Sequence, residues 1–168
     1  MIIAIDGPVA AGKTTLSKIL ADRLDFSLLD TGAIYRAVAL ASRQQGTDWS
    51  DEPAVAAVAS RLEIEFRWIA GTNHVLLAGE DVSEAIRTPE MSQGASLVSA
   101  LPDVRAALLN LQRQLGEQGN VIAEGRDIGT VVFPDAMPPV RPTRRIGWDR
   151  SMDLLPAVAY SAADRSAA

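Results

Sequence analysis

Apolar residues come first as an unbroken run, Ile2-Ile3-Ala4-Ile5, closed by Asp6, which predicts a buried strand. Beyond Lys13 the pattern changes to helical spacing, with Leu16, Ile19, Leu20 and Leu24 recurring on one face. Phe26-Ser27-Leu28-Leu29 predicts a second strand, and Asp30-Thr31-Gly32 opens a helix whose apolar face is Ala33, Ile34, Ala37, Val38 and Ala41. After the polar, turn-rich stretch 44–53, residues 54–62 read as a short helix. Glu63-Ile64-Glu65-Phe66-Arg67-Trp68 then alternates strictly, as a half-solvated strand does. Gly71-Thr72-Asn73 is expected to turn it into a return strand over 74–78. Thr88-Pro89-Glu90 starts a helix, with a capping hydroxyl before proline. Leu101-Pro102-Asp103 starts another, carried by Val104, Leu108, Leu111 and Leu115 to about Gln118. Val121-Ile122-Ala123 is a third buried strand, and it runs into the polar, glycine-flanked set Glu124 to Thr130.

Strand, loop, helix, strand, helix is the rhythm of an α/β fold, with a parallel sheet flanked by helices and ligands at the carboxyl ends of its strands. The hairpin is out of keeping with that rhythm and predicts a small inserted antiparallel subdomain over about 63–92. Between the first strand and first helix lies Gly7-Pro8-Val9-Ala10-Ala11-Gly12-Lys13-Thr14-Thr15, glycine and Gly-Lys-Thr at phosphate-loop spacing in the strand–loop–helix setting that pattern requires. Its amides and the positive end of the following helix suit a polyphosphate. Lys13 adds a charge near the outer phosphates, and a threonine hydroxyl, Thr15 or Thr14, can ligate Mg²⁺. The fold is therefore read as P-loop NTPase-type, binding a nucleoside triphosphate through residues 7–15. Asp30, Thr31, Tyr35 and Arg36 are expected to open onto the same crevice. Asp6 is expected to organise the loop, and His74 to be a strand surface residue.

At 168 residues the chain suits one domain, and with 48% hydrophobic and 22% charged residues its composition is that of a soluble globular protein. No apolar run approaches the roughly 20 residues of a membrane helix. The chain enters its first strand without a signal-peptide pattern, so secretion is not expected. The absence of cysteine excludes disulfides, zinc–thiolate sites and a thiol nucleophile, and fits the cytoplasm. A net charge of −5 argues against general nucleic-acid binding. Two lysines stand against fourteen arginines, so cationic work beyond Lys13 falls mainly to arginine.

Three motifs together, the loop, Asp30-Thr31-Gly32-Ala33-Ile34-Tyr35-Arg36 and Glu124-Gly125-Arg126-Asp127-Ile128-Gly129-Thr130-Val131-Val132-Phe133-Pro134-Asp135-Ala136, resemble the bacterial cytidylate kinase family in its order and spacing over about residues 2–136. The inserted hairpin and the stretch from Gly79 to Arg87 resemble that family's insert on the CMP side. The resemblance implies ATP-dependent phosphorylation of CMP or dCMP with Mg²⁺, by a monomer with neither nucleic-acid nor membrane partners. It implies Lys13, Arg126 and Asp127 as catalytic residues, and a CMP site of Thr31, Tyr35, Arg36, Arg105, Arg126 and Asp127. Each assignment has a structural alternative: Arg105 as a solvated helix residue, Tyr35 as core packing, and Arg126–Asp127 as a local ion pair. The family usually has glycine where Thr14 stands.

The resemblance ends at Ala136, where the family continues with an apolar strand and an arginine-rich lid. Met137-Pro138-Pro139-Val140-Arg141-Pro142 cannot form a central strand, because three of its residues lack an amide donor. Residues 137–168 are read as a divergent tail, a frameshifted or genuinely short form, and Arg141, Arg144, Arg145 and Arg150 align with no lid position. Two alternatives follow: a truncated, catalytically impaired nucleotide-binding relic, or a kinase for another nucleoside monophosphate.

Overall fold

Strict alternation along strand β1 (Ile2–Asp6) divides the hydrophobic core in two, with Ile3 and Ile5 packing on one side of the sheet and Ala4 on the other. The computed structural model describes residues 1–8 and 11–140. Strands β2 (Ser27–Asp30), β6 (Val121–Gly125) and β7 (Met137–Val140) join β1 in a parallel sheet of order β2-β6-β1-β7 among the described residues. Helix α1 (Lys13–Leu24) covers the first side, where Leu20 and Ala21 meet Ile3, Ile5, Leu28 and Ile122. The second side carries α2 (Thr31–Gln44), α3 (Glu52–Ala59), α4 (Pro89–Val98) and α5 (Pro102–Glu117). Every residue of the apolar face expected on α2 is buried. Burial on both faces is why the strands read as continuous apolar runs.

Side-chain caps set several helix starts. Asp30 accepts from the Ala33 amide, Asp51 from Ala54 and Thr88 from Met91. Asp51 capping moves the start of α3 two residues ahead of its expected position, since Pro53 fits the first helical turn.

The insert has three strands rather than two: β3 (Ile64–Ile69), β4 (Thr72–Leu77) and β5 (Glu80–Asp81), all antiparallel. The first turn is Ala70-Gly71 and not Gly71-Thr72-Asn73, because Ile69 already pairs with Thr72. Ala70 (φ 48°) with Gly71 (φ 75°), and Ala78 (φ 49°) with Gly79 (φ 83°), make two two-residue turns with both centres left-handed. Trp68 Nε1 donates to Asp22 Oδ1 at 3.1 Å, tying β3 to α1. His74 is half-buried on β4 and pairs with Asp81 at 2.8 Å.

The sheet continues past Ala136. Met137 is in register with Ile3 and Val140 with Ile5, and the pairing shifts between them at Pro138-Pro139. Proline excludes this segment from a sheet centre but not from a bulged edge, which is where it lies among the described residues. Arg141, Arg144, Arg145, Arg150 and the rest of 141–168 lie outside the described residues.

Candidate functional site at the carboxyl ends of the strands

Chain reversal after β1 places the glycine-rich loop beside the end of β6, where the Gly7 amide donates to the Gly125 carbonyl at 3.2 Å. Gly12 ends the loop in a left-handed conformation (φ 81°), and a side chain there would meet nothing within 4 Å among the described residues. Glycine is needed there for its backbone conformation. The first helical bond runs from the Leu16 amide to the Gly12 carbonyl, so the amides of Lys13, Thr14 and Thr15 precede it and remain available at the positive helix end. Lys13 Nζ donates to the Pro8 carbonyl at 2.8 Å. Val9 and Ala10 lie outside the described residues.

Glu124, 3% exposed at the end of β6, is the centre of the site. Thr14 Oγ1 donates to its Oε1 at 3.0 Å, and Ser17 Oγ lies 2.9 Å from Oε2. Thr31 Oγ1 donates to its backbone carbonyl at 2.8 Å. Burial raises the Glu124 pKa, and the neighbouring charge of Asp30 raises it further against the opposing effects of Ser17, Thr14 and Lys13. Ser17 has one hydroxyl hydrogen but two acceptors, the Lys13 carbonyl at 2.8 Å and Glu124. Both contacts are hydrogen bonds together only when Glu124 is protonated. Thr15 is exposed and has no side-chain hydrogen bond among the described residues.

Two ion pairs hold arginines expected at the site. Arg36 Nη2 donates to Asp30 Oδ2 at 2.9 Å, and Arg105 Nη2 to Asp127 Oδ2 at 2.5 Å. The second pair replaces the local Arg126–Asp127 contact considered from sequence, and Arg126 is exposed with no ion pair among the described residues. Tyr35 is half-buried near Arg105, Gln112 and Asp127, and burial raises its pKa. The structure thus gathers Tyr35, Arg105 and Asp127 into one group, and Thr14, Thr31, Asp30 and Arg36 around Glu124 into another.

Asp6 organises the second motif rather than its own loop. Its Oδ1 accepts from the Ile128 amide at 2.6 Å and its Oδ2 from the Gly129 amide at 3.0 Å. Those amides open a wide π-type turn over Ile128–Val132, in which the Asp127 carbonyl receives the amides of Val131 and Val132 and the Phe133 amide returns to Ile128. Such turns recur at functional sites. Sequence reading placed Glu124 in the polar set at the end of its strand without a role of its own, and gave Asp30 only a place in the crevice. The one available signal was the position of each acid at the carboxyl end of an apolar strand.

The remaining features narrow the site. Among the described residues no cluster of three or more His, Asp or Glu side chains could hold a metal ion. No described helix is long and apolar enough to cross a membrane. A cavity of about 660 Å³ between Met1, Arg113, Gly116, Phe133 and Asp135 opens at the amino end of β1, away from the loop.

Comparison with known proteins agrees with this geometry. The cytidylate kinase family model matches residues 3–140. The chain is 58% identical over 136 residues to a cytidylate kinase of Syntrophotalea carbinolica, covering 81% of this chain and 58% of that protein. It is 51% identical to a cytidylate kinase of Solibacter usitatus, covering 81% and 57% respectively. A bifunctional pantoate ligase/cytidylate kinase of Synechocystis is 53% identical, over 80% of this chain and 27% of its own length. The chain thus spans under two thirds of the length of the curated cytidylate kinases it matches. On both the profile match and the identity shared with these relatives, the chain belongs to the cytidylate kinase family.

Proposed function

We propose that the chain transfers the γ-phosphoryl group of ATP to CMP or dCMP. The observation that carries this reading is the junction at Glu124-Gly125. There one strand end holds the triphosphate loop through Gly7, the first turn of α1 through Thr14 and Ser17, and the start of α2 through Thr31. Donor and acceptor sides are thereby fixed to each other, and positioning is most of what phosphoryl transfer asks of a protein.

In this reading residues 7–15 and the free amides of α1 hold the ATP phosphates. Lys13 leaves the Pro8 carbonyl to bridge toward the transferred group. Arg36, Arg105 and Arg126 grip the acceptor phosphate, for which a planar fork of donors is suited. Thr31 and Tyr35 line that site, and Asp127 accepts from the sugar or base of the nucleotide. The oxygen donors of Thr14 and Glu124 fit a hard cation such as Mg²⁺. Thr14 is better placed than Thr15 to hold it, because its hydroxyl hydrogen is directed to Glu124 and its lone pairs remain available. When bound, Mg²⁺ would neutralise charge on the phosphates. A monomer in the cytoplasm, without cysteine, belongs to the same reading.

The test is ADP release from ATP with CMP, dCMP, UMP or AMP as acceptor. Turnover with CMP and dCMP that disappears in Lys13→Ala supports the assignment. Preference for UMP or AMP overturns it in favour of another acceptor, and ATP binding without turnover overturns it in favour of a nucleotide-binding role.

A further inference from the structure

Asp30 uses its two carboxylate oxygens for different tasks. Oδ1 caps α2 by accepting from the Ala33 amide at 3.0 Å, while Oδ2 accepts from Arg36 Nη2 at 2.9 Å. The contact passes over Gly32, where a Cβ would stand 3.1 Å from Asp30 Oδ1 and 3.3 Å from Arg36 Nη1. Gly32 has no left-handed backbone that would demand glycine, so clearance is what it provides. Arg36 Nε is buried with no hydrogen-bond partner among the described residues. An unpaired buried donor is costly, and on a guanidinium already anchored at one nitrogen it points to an acceptor that the described residues do not supply.

We propose that Asp30 is a positioning residue for the acceptor phosphate: it fixes the Arg36 guanidinium in advance, and Gly32 leaves the room in which the pair sits. The inference rests on the acceptor site proposed above. It assigns to Asp30 a task beyond capping, carried out through Arg36 rather than by contact with the nucleotide. A carboxylate beside an anion site would otherwise oppose binding; paired with Arg36, it gives up that charge to hold the cation still.

The experiment is calorimetric titration of the full chain with CMP and, separately, with ATP. The proteins are the unsubstituted chain, Asp30→Asn, Arg36→Ala, the double variant, and Gly32→Ala. Asparagine caps a helix as well as aspartate does, so Asp30→Asn preserves the fold of α2 while removing the charged hold on Arg36. The expected result is CMP affinity weakened by about tenfold or more in Asp30→Asn, with ATP affinity within about twofold of the original. In the Arg36→Ala background Asp30→Asn should cost nothing further, and Gly32→Ala should weaken CMP binding in the same selective way. Unchanged CMP affinity in Asp30→Asn, or the same loss with and without Arg36, overturns the proposal. If another nucleoside monophosphate binds in place of CMP and does so through Arg36, the cytidine reading falls, and the same cycle run with that nucleotide decides the role of Asp30. If no monophosphate binds, both fall.

Discussion

Thr14 Oγ1 and Glu124 Oε1 meet at 3.0 Å and join the first turn of α1 to the end of β6, 110 residues away in the chain. With Ser17 on the other oxygen, the carboxyl group is closed from solvent by two hydroxyls. Glu124→Ala would leave Ser17 with only the Lys13 carbonyl and Thr14 facing solvent, and would open a void at the buried end of β6. The expected loss is about 1–3 kcal/mol in urea unfolding, with weaker ATP binding. Glu124→Gln, which retains an acceptor for one hydroxyl, should lose less. Equal stability of the alanine variant and the original would contradict the central place given to this residue.

Gly125 allows a close crossing between the strand end and α2. A Cβ there would lie 2.5 Å from Thr31 Oγ1 and 2.6 Å from Ile128 Cδ1. Gly125→Ala must therefore push back either the Thr31 hydroxyl or the π-type turn. A destabilisation of about 1–3 kcal/mol is expected, together with loss of the Thr31 contact to the Glu124 carbonyl. Amide chemical-shift changes concentrated at Thr31 and Ile128 would check the location of the damage.

In the inserted sheet, Asp81 is held well below the ordinary aspartate value by the Ser83 hydroxyl, with His74 and the Ser83 amide adding to it. A depressed carboxyl contributes stability above its unfolded value of 3.8 and loses that contribution as pH falls through its folded value. The carboxyl carbon of Asp81 should therefore remain in its ionised position in NMR spectra down to pH 3.8 and below. Ser83→Ala should bring the titration back up. The same variant leaves the Val75 amide without its partner, so the insert should open more readily in hydrogen exchange.

Ala70 and Ala78 occupy left-handed positions that an alanine side chain resists. Asparagine adopts that conformation more readily and precedes glycine in the favoured two-residue hairpin turns. Ala70→Asn and Ala78→Asn are each expected to stabilise the chain by roughly 0.5–1 kcal/mol, read as a higher unfolding midpoint. A fall in midpoint for both would mean that the turns are not limited by backbone strain.

Elements that rest on local pattern were legible before the structure. The loop, α1, the buried face of α2 and the start of α4 at its threonine cap each follow from spacing and capping chemistry within a few residues. The missing pieces depend on distant partners. Nothing in the periodicity around Glu124 says that Thr14 and Ser17 will close over it, since that contact exists only once β6 lies beside β1. Asp6 looked like part of its own loop because its true partners, the amides of Ile128 and Gly129, are 122 and 123 residues on. The hairpin turn was misplaced because alanine is a poor signal for a left-handed backbone. Arg105 could not be told from a solvated helix residue without Asp127 opposite.

Two adjacent prolines in β7 have a further effect. Successive amides of a strand point to opposite sides, so Pro138-Pro139 removes one donor from the ladder with β1 and one from the side turned away from it. A strand from another molecule that approached that side would find a gap in the row of donors it needs. Among the described residues this rim of the sheet is thus a poor template for intermolecular pairing, a form of protection against ordered aggregation that rests on the backbone.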